Sequence, residues 1–276
     1  MGSINIGAVV TDLDGTLLTD DKQVGEADLE ALRKLGDKGI LRIAATGRNL
    51  RISRDVLHDD FPLDYLVFST GCGIFDWRKK EIIHSDGLNW EQTQKVMDQF
   101  MKEEFDFTIH QPIPDNYRFY YHRQNPENHH FNEYVERYSS FGEPLVHHEF
   151  HIENACQMLA IIETDTGKYQ ELINRLEDVK LVRTTSPLNG KAMWIEVFPR
   201  HISKAWGLKY IEKNYGVPFD DMLGIGNDYN DIDFLHEVGH PRVVANAHPD
   251  LLKKFPVVAS NQSCGVAEAI HGVVDL

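Results

Sequence analysis

An almost unbroken apolar run, Ile4-Asn5-Ile6-Gly7-Ala8-Val9-Val10-Thr11, stops abruptly at Asp12-Leu13-Asp14-Gly15-Thr16. Such a run suits a strand covered on both faces, as in a parallel sheet. The pattern returns along the chain. Residues 40–45 lead into Ala45-Thr46-Gly47-Arg48, residues 65–68 form a third apolar run, and residues 222–226 lead into Asn227-Asp228-Tyr229-Asn230-Asp231. Apolar spacing predicts helices over 26–38, 49–58, 201–215 and 231–237, with a further strand at 242–244. Strands alternating with helices take right-handed crossovers and pair in parallel. The expected fold class is α/β, with a doubly wound, Rossmann-like parallel sheet.

The middle of the chain has another texture. Residues 73–83 read as a hairpin around a charged turn. From about Ser85 the loops lengthen, and aromatic residues and histidines become frequent. Helices are expected at 90–104, 131–139 and 168–176, and strands at 156–163, 180–185 and 193–198. The mixture predicts an α+β unit, residues 85–199, inserted into a core made of residues 1–84 and 200–276. A length of 276 residues and a hydrophobic content of 42% give enough apolar material for such an arrangement.

Charge narrows the function. The formal net charge of -15 argues against nucleic acid and against anionic membranes as partners. An anionic small substrate stays compatible, because local positive charge works against the global field. The three cysteines, Cys72, Cys156 and Cys264, are scattered without metal-like spacing, as in a reduced, cytoplasmic protein. The first apolar run has no basic segment before it, and is too short for a signal peptide or a membrane span.

Chemistry gathers at the strand ends, where open parallel sheets bind ligands. Asp12 and Asp14 point the same way if the extended path continues. Two carboxylates so close call for a cation, and a hard ion such as Mg²⁺ suits oxygen donors. Thr46 offers a hydroxyl, Gly47 lets a backbone N–H approach an anion, and the helix that follows begins with an anion-attracting terminus. Ser203 is a natural N-cap, and Lys204 after it is placed to reach a phosphate or to keep Asp12 ionised. The polar loop 227–231 is suited to metal ligation. An acidic turn, a glycine turn, a surface lysine and an Asx-rich turn each explain one of these features singly. All four falling at successive strand ends points to one pocket.

With those motifs in place, the chain resembles the haloacid dehalogenase superfamily of phosphohydrolases, in its Cof-like branch with a large α/β cap of type IIB. Asp12-Leu13-Asp14-Gly15-Thr16 resembles the first motif, Thr46 the second, Lys204 the third and the Gly226–Asp231 loop the fourth. Val244-Ala245-Asn246-Ala247 also resembles a segment of that branch. The resemblance implies that Asp12 attacks phosphorus to form an aspartyl phosphate, and that Asp14 is the general acid and base. It implies Mg²⁺ held by Asp12, the Asp14 carbonyl and the fourth-motif loop. Thr46, Gly47, Lys204 and Asn230 would hold the phosphoryl group. The substrate implied is a small phosphorylated metabolite, a phosphomonoester such as a sugar phosphate. A phosphotransferase or mutase, or a non-enzymatic regulatory protein with a weakened metal site, are the alternatives. The oligomeric state is not legible.

Two departures stand out. Asn227 occupies the place where the family usually has the metal-binding aspartate, so Asn227 is expected to ligate the ion while Asp228 or Asp231 supplies charge. Ser69-Thr70-Gly71-Cys72-Gly73 replaces a common Asn-Gly. Outside the motifs, His147, Glu149 and His151 would share a face on a strand, which reads as solvated surface rather than a second metal site. Arg48, Arg51 and Arg54 at helical spacing could add positive potential near the phosphate, but read first as surface partners for Asp55, Asp59 or Asp60. Phe119, Tyr120 and Tyr121 are expected to pack the inserted unit, with a substrate contact by one of them as the alternative.

Overall fold

The computed structural model describes residues 5–162, 167–185 and 191–276, the side chains of Glu149 and Thr185 excepted. Ile4 and Glu163, at the ends of two expected strands, lie outside the described residues. The chain divides into two compact units, Met1–His84 with Ser203–Leu276, and Ser85–Ile202.

The first unit carries an eight-stranded sheet. Its order is Val257–Val258, His240–Val244, Met222–Gly226, Ala8–Thr11, Leu41–Ala45, Tyr65–Phe68, Gly73–Asp76 and Glu81–Ser85. The first six strands are parallel, and Gly73–Asp76 returns antiparallel against Tyr65–Phe68. Ala8–Thr11 is fully buried, as its continuous apolar run requires. From this strand the chain builds first toward Leu41–Ala45 and later toward Met222–Gly226. The order therefore reverses between Ala8–Thr11 and Met222–Gly226, the kind of switch point that opens a crevice at the carboxyl ends. The expected α/β class with a parallel sheet stands.

Helix Glu26–Asp37 buries Ala31, Leu32 and Leu35, the apolar face seen in its spacing. Helix Leu50–Val56 is capped by Asn49, whose side chain accepts from the Ile52 N–H at 2.9 Å. Helix Lys204–Tyr215 is capped by Ser203, which accepts from the Trp206 N–H at 3.1 Å, and ends at a left-handed Gly216.

The second unit carries a six-stranded sheet in the order Val179–Thr185, Met193–Pro199, Met158–Ile162, Phe107–His110, Phe119–His122 and Gly142–Pro144. Helices Trp90–Lys102 and Lys168–Arg175 contribute Val96, Phe100 and Leu172 to one apolar cluster. Helix His129–Arg137 contributes Phe131 and Tyr134 to another, which also takes Phe119, Leu159 and Ile161. The strands Phe107–His110 and Phe119–His122 are absent from the sequence reading. The expected strand through residues 147–151 is replaced by a 3₁₀ turn, His147–Glu149. His147 and His151 therefore do not share a strand face, and among the described residues no three His, Cys, Asp or Glu side chains gather into a metal site. No helix among them is long and apolar enough to cross a membrane.

Candidate active site

Strand Ala8–Thr11 delivers Asp12 into the crevice, its N–H held by the Ile225 carbonyl at 2.9 Å. The chain then turns sharply. Leu18 N–H returns to Leu13 O at 2.8 Å, and Gly15 takes the left-handed region at φ 75°. A Cβ on Gly15 would lie 2.5 Å from Asn227 Nδ2, so the amide of Asn227 packs directly on this turn.

Lys204 Nζ donates to Asp12 Oδ1 and to Asp231 Oδ1, each at 2.6 Å. The side chains of Lys204 and Asp231 are 0% exposed and that of Asp12 is 6%. Lys204 is thus no solvated surface lysine. Burial works against its charge, but the two carboxylates hold its proton well above the usual lysine range. Burial pushes the Asp12 carboxyl up to about 7, Lys204 pulls against that, and the Asp231 charge adds to it.

Asp231 is committed on both oxygens. Oδ2 accepts from the N–H groups of Asn227 at 2.8 Å and Asp228 at 3.1 Å, which ties the fourth loop to the lysine. Asp228 is exposed and accepts from Tyr229 N–H. Asp12 Oδ2 has no donor among the described residues. The oxygens gathered here are carboxylate, amide and carbonyl, which fits a hard divalent ion in kind. Asp12 and Asn227 would be the side chains to hold such an ion, with Asp231 supplying charge from behind.

Asp14 is gripped from outside. Arg48 Nε reaches Oδ2 at 2.6 Å and Arg48 Nη2 reaches Oδ1 at 2.7 Å, while Lys22 Nζ adds a contact to Oδ1 at 2.8 Å. Burial opposes ionisation, but these hydrogen bonds hold the carboxyl down at about 2. The expected pairing of Arg48 with acids of its own helix is corrected here. Arg54 does behave that way, on Asp59 at 2.8 Å. A fork-on-fork geometry explains why Arg48 prefers the carboxylate across the crevice.

Thr46 is buried at the end of Leu41–Ala45, its Oγ1 accepting from Arg48 N–H at 3.1 Å, which leaves its own O–H to donate. A Cβ on Gly47 would lie 3.8 Å from Thr70 Oγ1 and 4.0 Å from Asn230 Nδ2, so these three residues adjoin. Thr70 N–H bonds Thr46 O at 3.0 Å and Ser69 N–H bonds Arg48 O at 2.8 Å, folding the Ser69–Gly71 turn back onto the second motif. That is what the unusual Ser69-Thr70-Gly71 segment does.

Asn246 Nδ2 donates to Gly15 O at 2.8 Å, and Asn246 Oδ1 accepts from Asn261 N–H at 3.0 Å. Asn261 Nδ2 in turn donates to Leu18 O at 3.0 Å. The two asparagines brace the turn after Asp12. Asn246 lies in a segment the motif reading marks, whereas nothing in the sequence distinguishes Asn261 or Lys22.

Comparison with known proteins bears on this geometry. A model of haloacid dehalogenase-like hydrolases matches residues 9–270. The chain belongs to that family. The 5-amino-6-(5-phospho-D-ribitylamino)uracil phosphatase YcsE of Bacillus subtilis is 25% identical over 276 residues, covering 97% of this chain and 96% of its own length. The HMP-PP phosphatase of Yersinia pseudotuberculosis is 24% identical over 277 residues, covering 94% of this chain and 92% of its own. Among solved structures, the haloalkanoate-superfamily phosphatase BT1666 of Bacteroides thetaiotaomicron superposes with a TM-score of 0.81 at 22% identity, over 99% of this chain and 97% of that one. Membership of the Cof-like phosphatases, expected from the motifs, stands, and with it the class of enzyme.

Proposed function

We propose that the chain is a Mg²⁺-dependent phosphatase of small phosphomonoesters, with Asp12 as the nucleophile. The observation that carries this reading is the buried Asp12, pinned through Oδ1 by Lys204 at the switch point of the sheet and left unengaged at Oδ2. One oxygen fixes the orientation and the other is free to attack.

Asp12 Oδ2 attacks phosphorus, the ester oxygen departs, and water then releases phosphate from the aspartyl phosphate. Lys204 stays charged throughout and offsets the negative charge of the phosphoryl group. Thr46 O–H, Gly47 N–H and Asn230 would donate to its oxygens. Asp14 is held ionised by Arg48 and Lys22, which suits it to take a proton from the attacking water. For it to carry a proton to the leaving oxygen, those two contacts have to loosen in the substrate complex. Asp12, Asn227 and the Asp14 carbonyl would hold Mg²⁺, which would supply charge to offset repulsion between carboxylate and phosphoryl oxygens.

Sugar phosphates are the expected substrates from the family resemblance, and the relatives' phosphorylated ribitylaminouracil and HMP-PP widen the set to test. The test is phosphate release from a broad phosphomonoester panel with Mg²⁺. Asp12→Asn should lower the rate at least about a thousandfold. If no ester releases phosphate, or if Asp12→Asn changes nothing, the reading is wrong. Transfer to a second hydroxyl without free phosphate would instead mark a phosphotransferase.

A further inference from the structure

A cavity of about 240 Å³ opens on the first unit, with Arg42, Asp59, Asp60, Trp77, Arg78 and Lys80 among its walls. Arg42 stands near the amino end of Leu41–Ala45, whose carboxyl end leads to Thr46. Trp77 follows Asp76, the cross-strand partner of Tyr65 at the start of Tyr65–Phe68. The cavity therefore lies at the amino ends of these strands, opposite the catalytic crevice. The strand run from Arg42 to Thr46 puts about 13 Å between the two.

Two observations on these walls call for the same kind of ligand. Trp77 is buried, and its indole N–H has no acceptor among the described residues. That group only donates, and leaving it unmatched costs stability. Phenylalanine would supply apolar bulk there without a stranded donor. The charges lean the same way. The buried Asp64 takes Arg42 Nη2 at 2.9 Å and Nε at 3.0 Å, and a second guanidinium from Arg78. Asp59 is taken by Arg54 at 2.8 Å, and Asp60 is the remaining acid, exposed to water. Lys80 Nζ lies 4.5 Å over the Trp77 ring and donates to the Asp59 carbonyl. Both contacts hold the ammonium in place, and neither neutralises it. No carboxylate among the described residues lies within ion-pair distance of Lys80. Four cations thus meet three carboxylates here, in a chain whose net charge is -15.

We propose that this cavity is a binding site for a small oxyanion of the phosphate class, held by Lys80, Arg78 and the Trp77 indole N–H. An ordered water would match the indole donor but leave the excess positive charge uncompensated, whereas an oxyanion meets both. Arg78 offers a planar fork and Lys80 a compact point charge, and the several oxygens of a phosphate can accept from both and from the indole. The volume corresponds to about eight waters, which suits a small, partly hydrated ion. The inference stands apart from the phosphatase reading, because none of these residues belongs to the catalytic crevice.

The test is a titration of the isotope-labelled protein with inorganic phosphate at constant ionic strength, read from the indole N–H resonances of its four tryptophans. The Trp77 signal is assigned by its loss in Trp77→Phe, or by elimination through Trp90→Phe, Trp194→Phe and Trp206→Phe. Trp206, two residues past Lys204, reports separately on the catalytic crevice. The Trp77 signal should move and saturate with a Kd on the order of 1 mM, as a pair of charge-assisted hydrogen bonds supports. Arg78→Gln combined with Lys80→Gln should weaken this binding about 10- to 100-fold and leave the Trp206 response as in the wild type. Arg42 keeps Asp64 paired in that protein, so it should fold, and an unshifted Trp206 signal without phosphate verifies this. A Trp77 signal that phosphate does not move, that chloride moves as far, or that still moves in the doubly substituted protein overturns the inference. Movement of the Trp206 signal alone would place phosphate in the catalytic crevice only, and overturns it as well.

Discussion

Lys204 carries two loads at once, and they are separable by measurement. Its ammonium is the sole partner found for Asp12 Oδ1 and Asp231 Oδ1 among the described residues, with all three side chains out of water. Removing one member of a buried ion cluster strands the rest, at about 3–5 kcal/mol. Lys204→Met should therefore lose about that much stability in urea unfolding, besides losing activity. A Lys204→Met protein as stable as the wild type would mean that Asp12 and Asp231 are neutral or hydrated, contrary to the geometry. Arg48 shows the opposite limit of sequence reading. Its spacing with Arg51 and Arg54 looks like a helix surface, and only the fold reveals that its guanidinium spans the crevice to Asp14. No local pattern encodes a contact between residues 34 apart on different strand ends.

At the scale of elements, the parallel strands were readable because burial on both faces demands continuous apolar runs. Ala8–Thr11, Leu41–Ala45, Tyr65–Phe68 and Met222–Gly226 all lie within or on the expected segments. Phe107–His110 and Phe119–His122 were not readable, since Phe-Thr-Ile-His and Phe-Tyr-Tyr-His are short and end in residues equally at home in loops. The Ser69–Gly71 turn was likewise opaque, and it sets a sharp test. Gly71 sits at φ 106°, and a Cβ there would meet the Ser203 carbonyl at 2.1 Å, directly before Lys204. Gly71→Ala adds left-handed strain of about 1–2 kcal/mol to overpacking of about 1–3 kcal/mol. It should therefore cost about 3 kcal/mol in urea unfolding and displace the helix start that carries Lys204. Gly39, at φ 73° with open space around it, provides the control. Gly39→Ala should cost only the strain, about 1–2 kcal/mol. Equal losses at the two positions would show that the contact with Ser203 is not tight.

Across the whole molecule, the site residues come from both ends of the chain, Asp12 to Arg48 and Lys204 to Asn261, yet all fall in one compact unit. The motifs were legible because the chemistry needs them at strand ends, whereas the bracing by Asn261 joins positions 243 apart and leaves no local trace. A ligand that binds only the folded form of this unit stabilises it by mass action, by about 2.7 kcal/mol at a hundredfold excess over Kd. Mg²⁺ held by Asp12 and Asn227 should thus slow amide exchange in Ala8–Thr11 and Met222–Gly226 by up to about 100-fold, where those amides exchange through unfolding of the unit. Met158–Ile162 belongs to the other unit, whose own apolar clusters contain no proposed ligand, and its exchange should stay unchanged. Chelation of the ion should reverse the effect, and Asp12→Asn should abolish it. Exchange that ignores Mg²⁺ everywhere would remove the ion from this site whatever the enzyme's activity shows. Equal slowing in both sheets would instead mean that the two units unfold as one.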